Sequence, residues 1–220
     1  MDKNRDNNEL LVLLADSTDK FEGYSHTHAA RIATLADEVA GLFKLARSDR
    51  QSLRAAALAH DLGEAAMNRD YIKRPGELND EERLDMMRHP VIGEQEAARH
   101  GADRGAQLLV RWHHEWWNGT GYPDALRRDQ IPFGARILRV VDSYVALTDI
   151  RPHRTALSVL EAKKYLTEGA GLEFDPRVVS AFLSLSTLQE LDSYSKEEEP
   201  KAKDWEADSM IRQLVDELGN

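Results

Sequence analysis

The sequence predicts an all-α protein. Apolar residues recur at three- and four-residue steps almost throughout, no run alternates as a half-buried strand would, and the glycines and prolines gather into a few short breaks. At 220 residues the chain has room for one domain with a real core and is short for two.

The elements follow in order. Ile32, Leu35, Ala36, Val39, Ala40 and Phe43 form one apolar face of a helix expected from about Thr27 to Lys44. Ser48 reads as the N-cap of a second helix, which runs through Leu53, Ala57 and Leu58 into His60-Asp61 and stops near Gly63. Residues 65–79 read as a loop, marked by Asn68-Arg-Asp70 and Pro75-Gly76. Asn79 or Asp80 caps a short helix with an acidic start, expected to end before Pro90 because proline pushes the preceding residue out of helical geometry. Two helices are expected at 91–101 and 103–116, separated by Gly101. Residues 117–132, with Gly119, Gly121, Pro123 and Pro132, must be a loop. A helix from about Phe133 to Leu147 carries Asp142, and further helices are expected at 155–168 and 176–191. A charged spacer at 192–204 leads to a last amphipathic helix through Ile211, Leu214, Val215 and Leu218. The expected organisation is an N-terminal extension over 1–19, one domain over 20–191, and the spacer with its helix over 192–220.

Composition excludes several classes. There are no cysteines, hence no disulfides, thiolate metal sites or cysteine nucleophiles. The N-terminus is polar, without the apolar run of a signal peptide, and no stretch approaches the roughly 20 apolar residues of a membrane helix. A cytoplasmic protein without membrane association is expected. The net charge of −10, from 29 basic against 39 acidic residues, argues against a nucleic-acid polymer as ligand, since such binding neutralises many phosphates. A small anionic substrate stays open, because bound metal ions dominate the local potential of their site.

Seven side chains of metal-binding type lie along the chain in one order: His28, the adjacent pair His60-Asp61, His89, the adjacent pair His113-His114, and Asp142. Five of the eight histidines belong to this set. Imidazole and carboxylate are ligands of divalent iron, manganese and zinc. Seven are too many for one ion and suit two that share a bridging carboxylate. Consecutive residues of a helix point about 100° apart. His60 and Asp61 therefore reach one site only if it is extended, with Asp61 spanning two metals, and His113-His114 pose the same problem. Close behind comes the tight turn Gly119-Thr-Gly-Tyr-Pro123. One ion to make hydroxide from water and another to hold phosphate and leaving oxygen is what in-line phosphoryl displacement requires.

The ordered motifs resemble the HD-GYP family of the HD phosphohydrolase superfamily, whose members degrade cyclic di-GMP. The matching text begins at Tyr24-Ser-His-Thr-His28-Ala-Ala-Arg31-Ile and continues through His60-Asp61-Leu-Gly63, Arg74-Pro-Gly76, Glu81-Glu82 and His89-Pro90. It goes on through His113-His114-Glu115, Gly119-Thr-Gly121-Tyr122-Pro123, Ala135-Arg136-Ile137 and Val141-Asp142, and closes with Ala146-Leu147-Thr148 and Arg151-Pro152-His-Arg154. The resemblance spans about residues 20–185 and implies a helical bundle with a dinuclear metal centre in its core. One ion would take His28, His60, Asp61 and Asp142, and the other Asp61, His89, His113 and His114. Tyr122 and Gly121 would line the substrate pocket, joined by Arg74, while Arg151 and Arg154 would meet phosphate oxygens.

This chain departs from the family's pattern at several positions. Glu64 replaces the usual lysine after His-Asp-x-Gly, so a phosphate-facing cation becomes an anion. A carboxylate about 5 Å from a phosphate charge costs on the order of 3 kcal/mol at an effective dielectric near 20. Asp61 and Glu64 are thus the two positions expected to bear on catalysis itself. Val145 and Ile150 stand where aspartates are common, and His153 where tyrosine is. Tyr24 stands where members with three metals carry a glutamate ligand, which favours two ions here, although Glu64 could recruit a third.

The expected activity is hydrolysis of cyclic di-GMP by metal-activated hydroxide, giving linear pGpG with GMP as a further product. The expected cofactors are two divalent ions, iron or manganese ahead of zinc or nickel. A homodimer or partner protein would use the C-terminal helix or the Gly-Tyr-Pro loop. Two other readings stay open: a cyclic-dinucleotide-binding or docking module that keeps its metals without efficient turnover, and a diiron oxygenase.

Overall fold

The computed structural model describes residues 3–24, 26–150 and 155–188, with side chains from Glu9 onward. Helices α1 (Lys3–Phe21), α2 (His28–Leu42), α3 (Arg47–Ala59), α4 (Leu62–Met67), α5 (Asp70–Lys73) and α6 (Asp80–Met86) form the first half. They are followed by α7 (His89–Arg99), α8 (Arg104–Trp112), α9 (Phe133–Thr148), α10 (Val159–Glu168) and α11 (Pro176–Leu183). Among the described residues there is no strand, only an isolated bridge between Ala170 and Phe174. The all-α expectation holds.

Helix α9 is the axis of the bundle. Ile137, Leu138, Val140, Val141, Tyr144 and Val145 are all fully buried, and Arg136, Arg139, Asp142 and Ser143 form a narrow polar stripe. A helix with so wide an apolar surface must be covered on several sides, and α2, α3, α8, α10 and α11 do so. Tyr144 meets Phe182 of α11 edge to face, with ring centroids 5.0 Å apart. Val145 therefore serves core packing. Asp142 sits in this apolar helix as its one buried carboxylate.

Within the described residues the helices expected from periodicity are present, and the differences lie at their ends. Helix α3 begins at Arg47, so Ser48 is inside it and not its cap. The segment expected as a loop at 65–79 holds the end of α4 and all of α5, divided by Asn68 in a left-handed conformation. Asn79 does cap α6: Glu82 N–H donates to its Oδ1 at 2.9 Å, while Asn79 N–H donates to Glu82 Oε2 at 3.0 Å. Pro90 does not end a helix but opens α7, where a first-turn residue has no intrahelical use for its N–H. Helix α8 stops at Trp112, four residues short of expectation. Helix α10 starts later than 155, at a Ser158–Glu161 capping box. Residues 117–132 form the expected loop, apart from one 3-10 turn at Arg128–Gln130.

Helix α1 occupies the stretch expected as an extension. Leu11, Ala15, Thr18 and Asp19 are buried, and the helix packs on α2, α3 and α4. Asp19 then accepts the N–H of Ala29 at 3.3 Å, capping the start of α2 beside His28. Helix α11 ends at Leu183, where Ser184 caps it, short of the expected 191; the spacer and the last amphipathic helix lie outside the described residues.

Candidate metal centre

The fold brings all seven of the predicted side chains together, and it does so largely at helix ends. His28 and His89 are the first residues of α2 and α7. His60 and Asp61 form the turn between α3 and α4, and His113 and His114 the turn that follows α8. Both adjacent pairs thus escape the 100° splay of a continuous helix by ending one. Asp142 alone reaches in from mid-helix.

Their ligand atoms form two groups, each with all atoms within 4.8 Å of one another: Asp61, His89, His113 and His114, and His28, His60 and Asp142. Asp61 joins them. Its Oδ2 lies 2.9 Å from His60 Nε2, while its Oδ1 lies 3.6 Å from His89 Nε2 and 3.7 Å from His113 Nε2. Asp142 Oδ1 lies 3.9 Å from His28 Nε2 and 3.7 Å from His60 Nε2.

The outer ring nitrogens decide how the inner ones point. Nδ1 of His60, His89 and His113 faces the carbonyl three residues back, on Ala57 (3.0 Å), Met86 (2.8 Å) and Val110 (2.6 Å). Each carbonyl belongs to the last turn of the preceding helix, where carbonyls lack an intrahelical donor. A carbonyl only accepts, so these Nδ1 atoms carry the hydrogen and Nε2 offers its lone pair to the centre. His28 Nδ1 is held by Asp149 Oδ2 at 2.8 Å, and Asp149 is itself clamped by Arg31. Tyr24 stacks on the His28 ring, with centroids 3.9 Å apart. Among the described residues, Nε2 of His28 and of His60 is buried without a hydrogen-bond partner. His60 Nε2 and Asp61 Oδ2 approach to 2.9 Å as a charge contact. Two buried, unspent lone pairs beside carboxylates form a donor set that fits divalent cations.

Electrostatics agree. Burial opposes a charge on His60, but the carboxylates of Asp61 and Asp142 outweigh it and lift the imidazole to about 10. The two aspartates thus make this end of the centre favourable for positive charge. Burial also works against the Asp61 anion, yet His60 and His113 hold its carboxyl well below the usual range. Burial pushes His89 down to about 4 and His114 well below its ordinary value.

Two cavities adjoin the centre. A polar cleft of about 210 Å³ is lined by Asp61, Asp142, His114, Glu64, Arg139 and Glu173, among others. Beside it an apolar pocket of about 340 Å³ is walled by Leu78, Met86, Met87, Trp116 and Tyr122, and shares His114 and Arg139 with the cleft. Glu64 faces the cleft, and burial together with the Asp61 charge pushes its carboxyl well above the usual range. Tyr122 stacks on His114 with centroids 4.8 Å apart and planes at 18°. Gly121 permits this: a Cβ there would stand 2.2 Å from Trp116 N and 2.5 Å from His114 O. The buried Glu115 accepts the N–H groups of Asp124 (2.7 Å) and Leu126 (2.9 Å), fixing the loop beyond a cis Tyr122–Pro123 bond.

Of the expected substrate residues, Tyr122 and Gly121 line the apolar pocket. Arg74 is not brought to it; its guanidinium pairs with Glu82 at 2.5 Å. Arg151 and Arg154 lie outside the described residues, as does His153. Sequence reasoning missed Asp149, Arg139 and Glu173 altogether, and it quoted Glu115 without a role. Asking which carboxylates could orient the imidazoles would have raised Asp149 as a candidate.

The HD domain family model matches residues 12–178, and the chain belongs to that family. A cyclic di-GMP phosphodiesterase of Vibrio cholerae is 39% identical over 60% of this chain and 28% of its own length. The cyclic di-GMP phosphodiesterase response regulator of Xanthomonas campestris is 35% identical over 80% of this chain and 47% of its own. A 3'3'-cGAMP-specific phosphodiesterase of V. cholerae is 28% identical over 80% of this chain and 34% of its own. The chain thus spans less than half the length of these relatives. Among solved structures, a cyclic GMP-AMP-specific phosphodiesterase of V. cholerae shares the fold at a TM-score of 0.68 and 19% identity, covering 96% of this chain and 53% of its own. An HDG"Y"P protein of Bdellovibrio bacteriovorus does so at 0.58 and 20%, over 71% of this chain and 50% of its own. The HD-GYP recognition made on the motifs is borne out.

Proposed function

We propose that this domain is a metal-dependent phosphodiesterase that opens cyclic di-GMP to linear pGpG, with GMP as a further product. The observation that carries the reading is the division of one carboxylate: Asp61 turns Oδ2 to one imidazole group and Oδ1 to the other. His28, His60, Asp61 and Asp142 would hold one divalent ion and Asp61, His89, His113 and His114 a second, iron or manganese ahead of zinc or nickel. The bound ions would supply the Lewis acidity that activates water and stabilises the anionic transition state.

The chain's own residues would do the rest. Three backbone carbonyls and Asp149 hold the imidazoles at Nδ1 and aim Nε2 inward. Tyr122, backed by His114, offers its ring to a base in the apolar pocket while the phosphodiester lies in the polar cleft. Arg151 and Arg154 are proposed phosphate contacts. Supporting the substrate class, several relatives are named as cyclic di-GMP phosphodiesterases, and others as 3'3'-cGAMP-specific ones.

The test is anaerobic incubation with Mn²⁺ or Fe²⁺ and each cyclic dinucleotide, with products separated by chromatography. Conversion of cyclic di-GMP to pGpG, faster than that of 3'3'-cGAMP, is expected. Tight binding without turnover would replace the enzyme by a binding module.

A further inference from the structure

We propose that Arg139 is a further residue that positions the substrate phosphate, and that loading of a cation on His114 frees it to do so. The inference rests on the phosphodiesterase reading and goes beyond it to a side chain that the motifs leave unassigned. Arg139 precedes Asp142 by three residues on α9, so both project from one face of the helix. It is the one cation in the wall of the polar cleft among the described residues, where Asp61, Asp142, Glu64 and Glu173 are all carboxylates. It also walls the apolar pocket. A nucleotide with its phosphate in the cleft and its base in the pocket would have to pass this guanidinium.

The donors of Arg139 are only partly used. Nη2 pairs with Glu173, Nη1 donates to His114 Nδ1 at 3.0 Å, and Nε is buried without a partner among the described residues. The contact with His114 excludes a metal on the same ring. A neutral imidazole has one lone pair: if Nδ1 accepts from Arg139, Nε2 carries the hydrogen. A cation bound through either ring nitrogen therefore ends the Arg139 contact. Nη1 then joins Nε as an unsatisfied donor in a site where leaving donors unmade is costly. A phosphodiester oxygen entering the cleft is the acceptor whose charge and position answer both. Guanidinium suits that task better than ammonium, because its planar donors bond phosphate in pairs. Metal loading and phosphate recognition would thus be coupled through one side chain.

Equilibrium binding of a non-hydrolysable bis-phosphorothioate analogue of cyclic di-GMP tests this, measured by calorimetry with and without Mn²⁺ beside the metal content of each variant. Arg139→Gln is expected to weaken Mn²⁺-dependent binding by about tenfold or more, the scale of one charge-assisted contact, with metal content unchanged. Arg139→Lys is expected to recover only part of it. Glu173→Gln removes the competing anion and is expected to bind as well as the wild type or better. If Arg139→Gln does not fold, the charge-balanced double variant Arg139→Gln/Glu173→Gln carries the same expected loss. Wild-type affinity in the folded variant overturns the proposal, as does an equal loss in Glu173→Gln, which would mark a merely structural pair. A wild type that binds no cyclic dinucleotide overturns the phosphodiesterase reading, and this proposal with it.

Discussion

Glu64 is the side chain whose identity matters most for rate. It faces the cleft beside Asp61, where burial and the Asp61 charge disfavour its anion, so this position offers an entering phosphodiester no cation to meet. Glu64→Lys should accelerate cyclic di-GMP hydrolysis by about tenfold or more, equivalent to about 1.4 kcal/mol of barrier. Loss of activity together with a metal equivalent would instead make Glu64 a ligand. Arg151→Ala and Arg154→Ala should each weaken substrate binding by about 1.5–3 kcal/mol with metal content unchanged, and unchanged affinity in both would put the phosphates elsewhere. Asp149→Ala should lower metal affinity on the His28 side by roughly 10–100-fold, because it releases the ring that Asp149 orients. Metal titration that matches the wild type would show that Tyr24 stacking alone suffices. At this scale the site was legible where residue type carries the chemistry, as in the histidines and aspartates of the ordered motifs. Asp149, Arg139 and Glu173 were not legible, since carboxylates and guanidiniums usually face water and only the fold turns these inward.

Between elements, α4 and α7 pack backbone against backbone at Gly63, and this sets the spacing of Asp61 and His89. A Cβ on Gly63 would lie 2.0 Å from His89 O and 2.8 Å from Gly93 N, both backbone atoms with nowhere to go. Gly63→Ala should therefore cost about 1–3 kcal/mol in urea unfolding and reduce metal content, as the two helices part. Wild-type values for both would show that the packing yields more easily than its distances suggest. Helix interiors were legible from period alone, because burial of one face imposes it. Ends were not: Pro90 fits equally the residue after a helix and the first turn of one, and packing decides. Helix α1 escaped notice because its buried stripe, Leu11, Ala15, Thr18 and Asp19, is half polar.

For the molecule as a whole, the sequence predicted one all-α core, and the structure places α9 at its centre. What it could not supply was the way in which helix ends, rather than helix faces, deliver the site. His60, His89 and His113 each follow a helix terminus whose spare carbonyl fixes the ring. No described helix is long and apolar enough to cross a membrane. With a net charge of −10 the chain would repel its own proposed substrate, so attraction has to be local. The two ions and Arg139 are the features proposed to provide it.

The central claim, two ions joined by Asp61, is tested most directly by elemental analysis of anaerobically purified protein beside its Asp61→Ala variant. Two divalent metals per wild-type chain are expected. Loss of both, with loss of cyclic di-GMP hydrolysis and a lower melting temperature, is expected in the variant. An Asp61→Ala protein that still holds two metals per chain would contradict the claim.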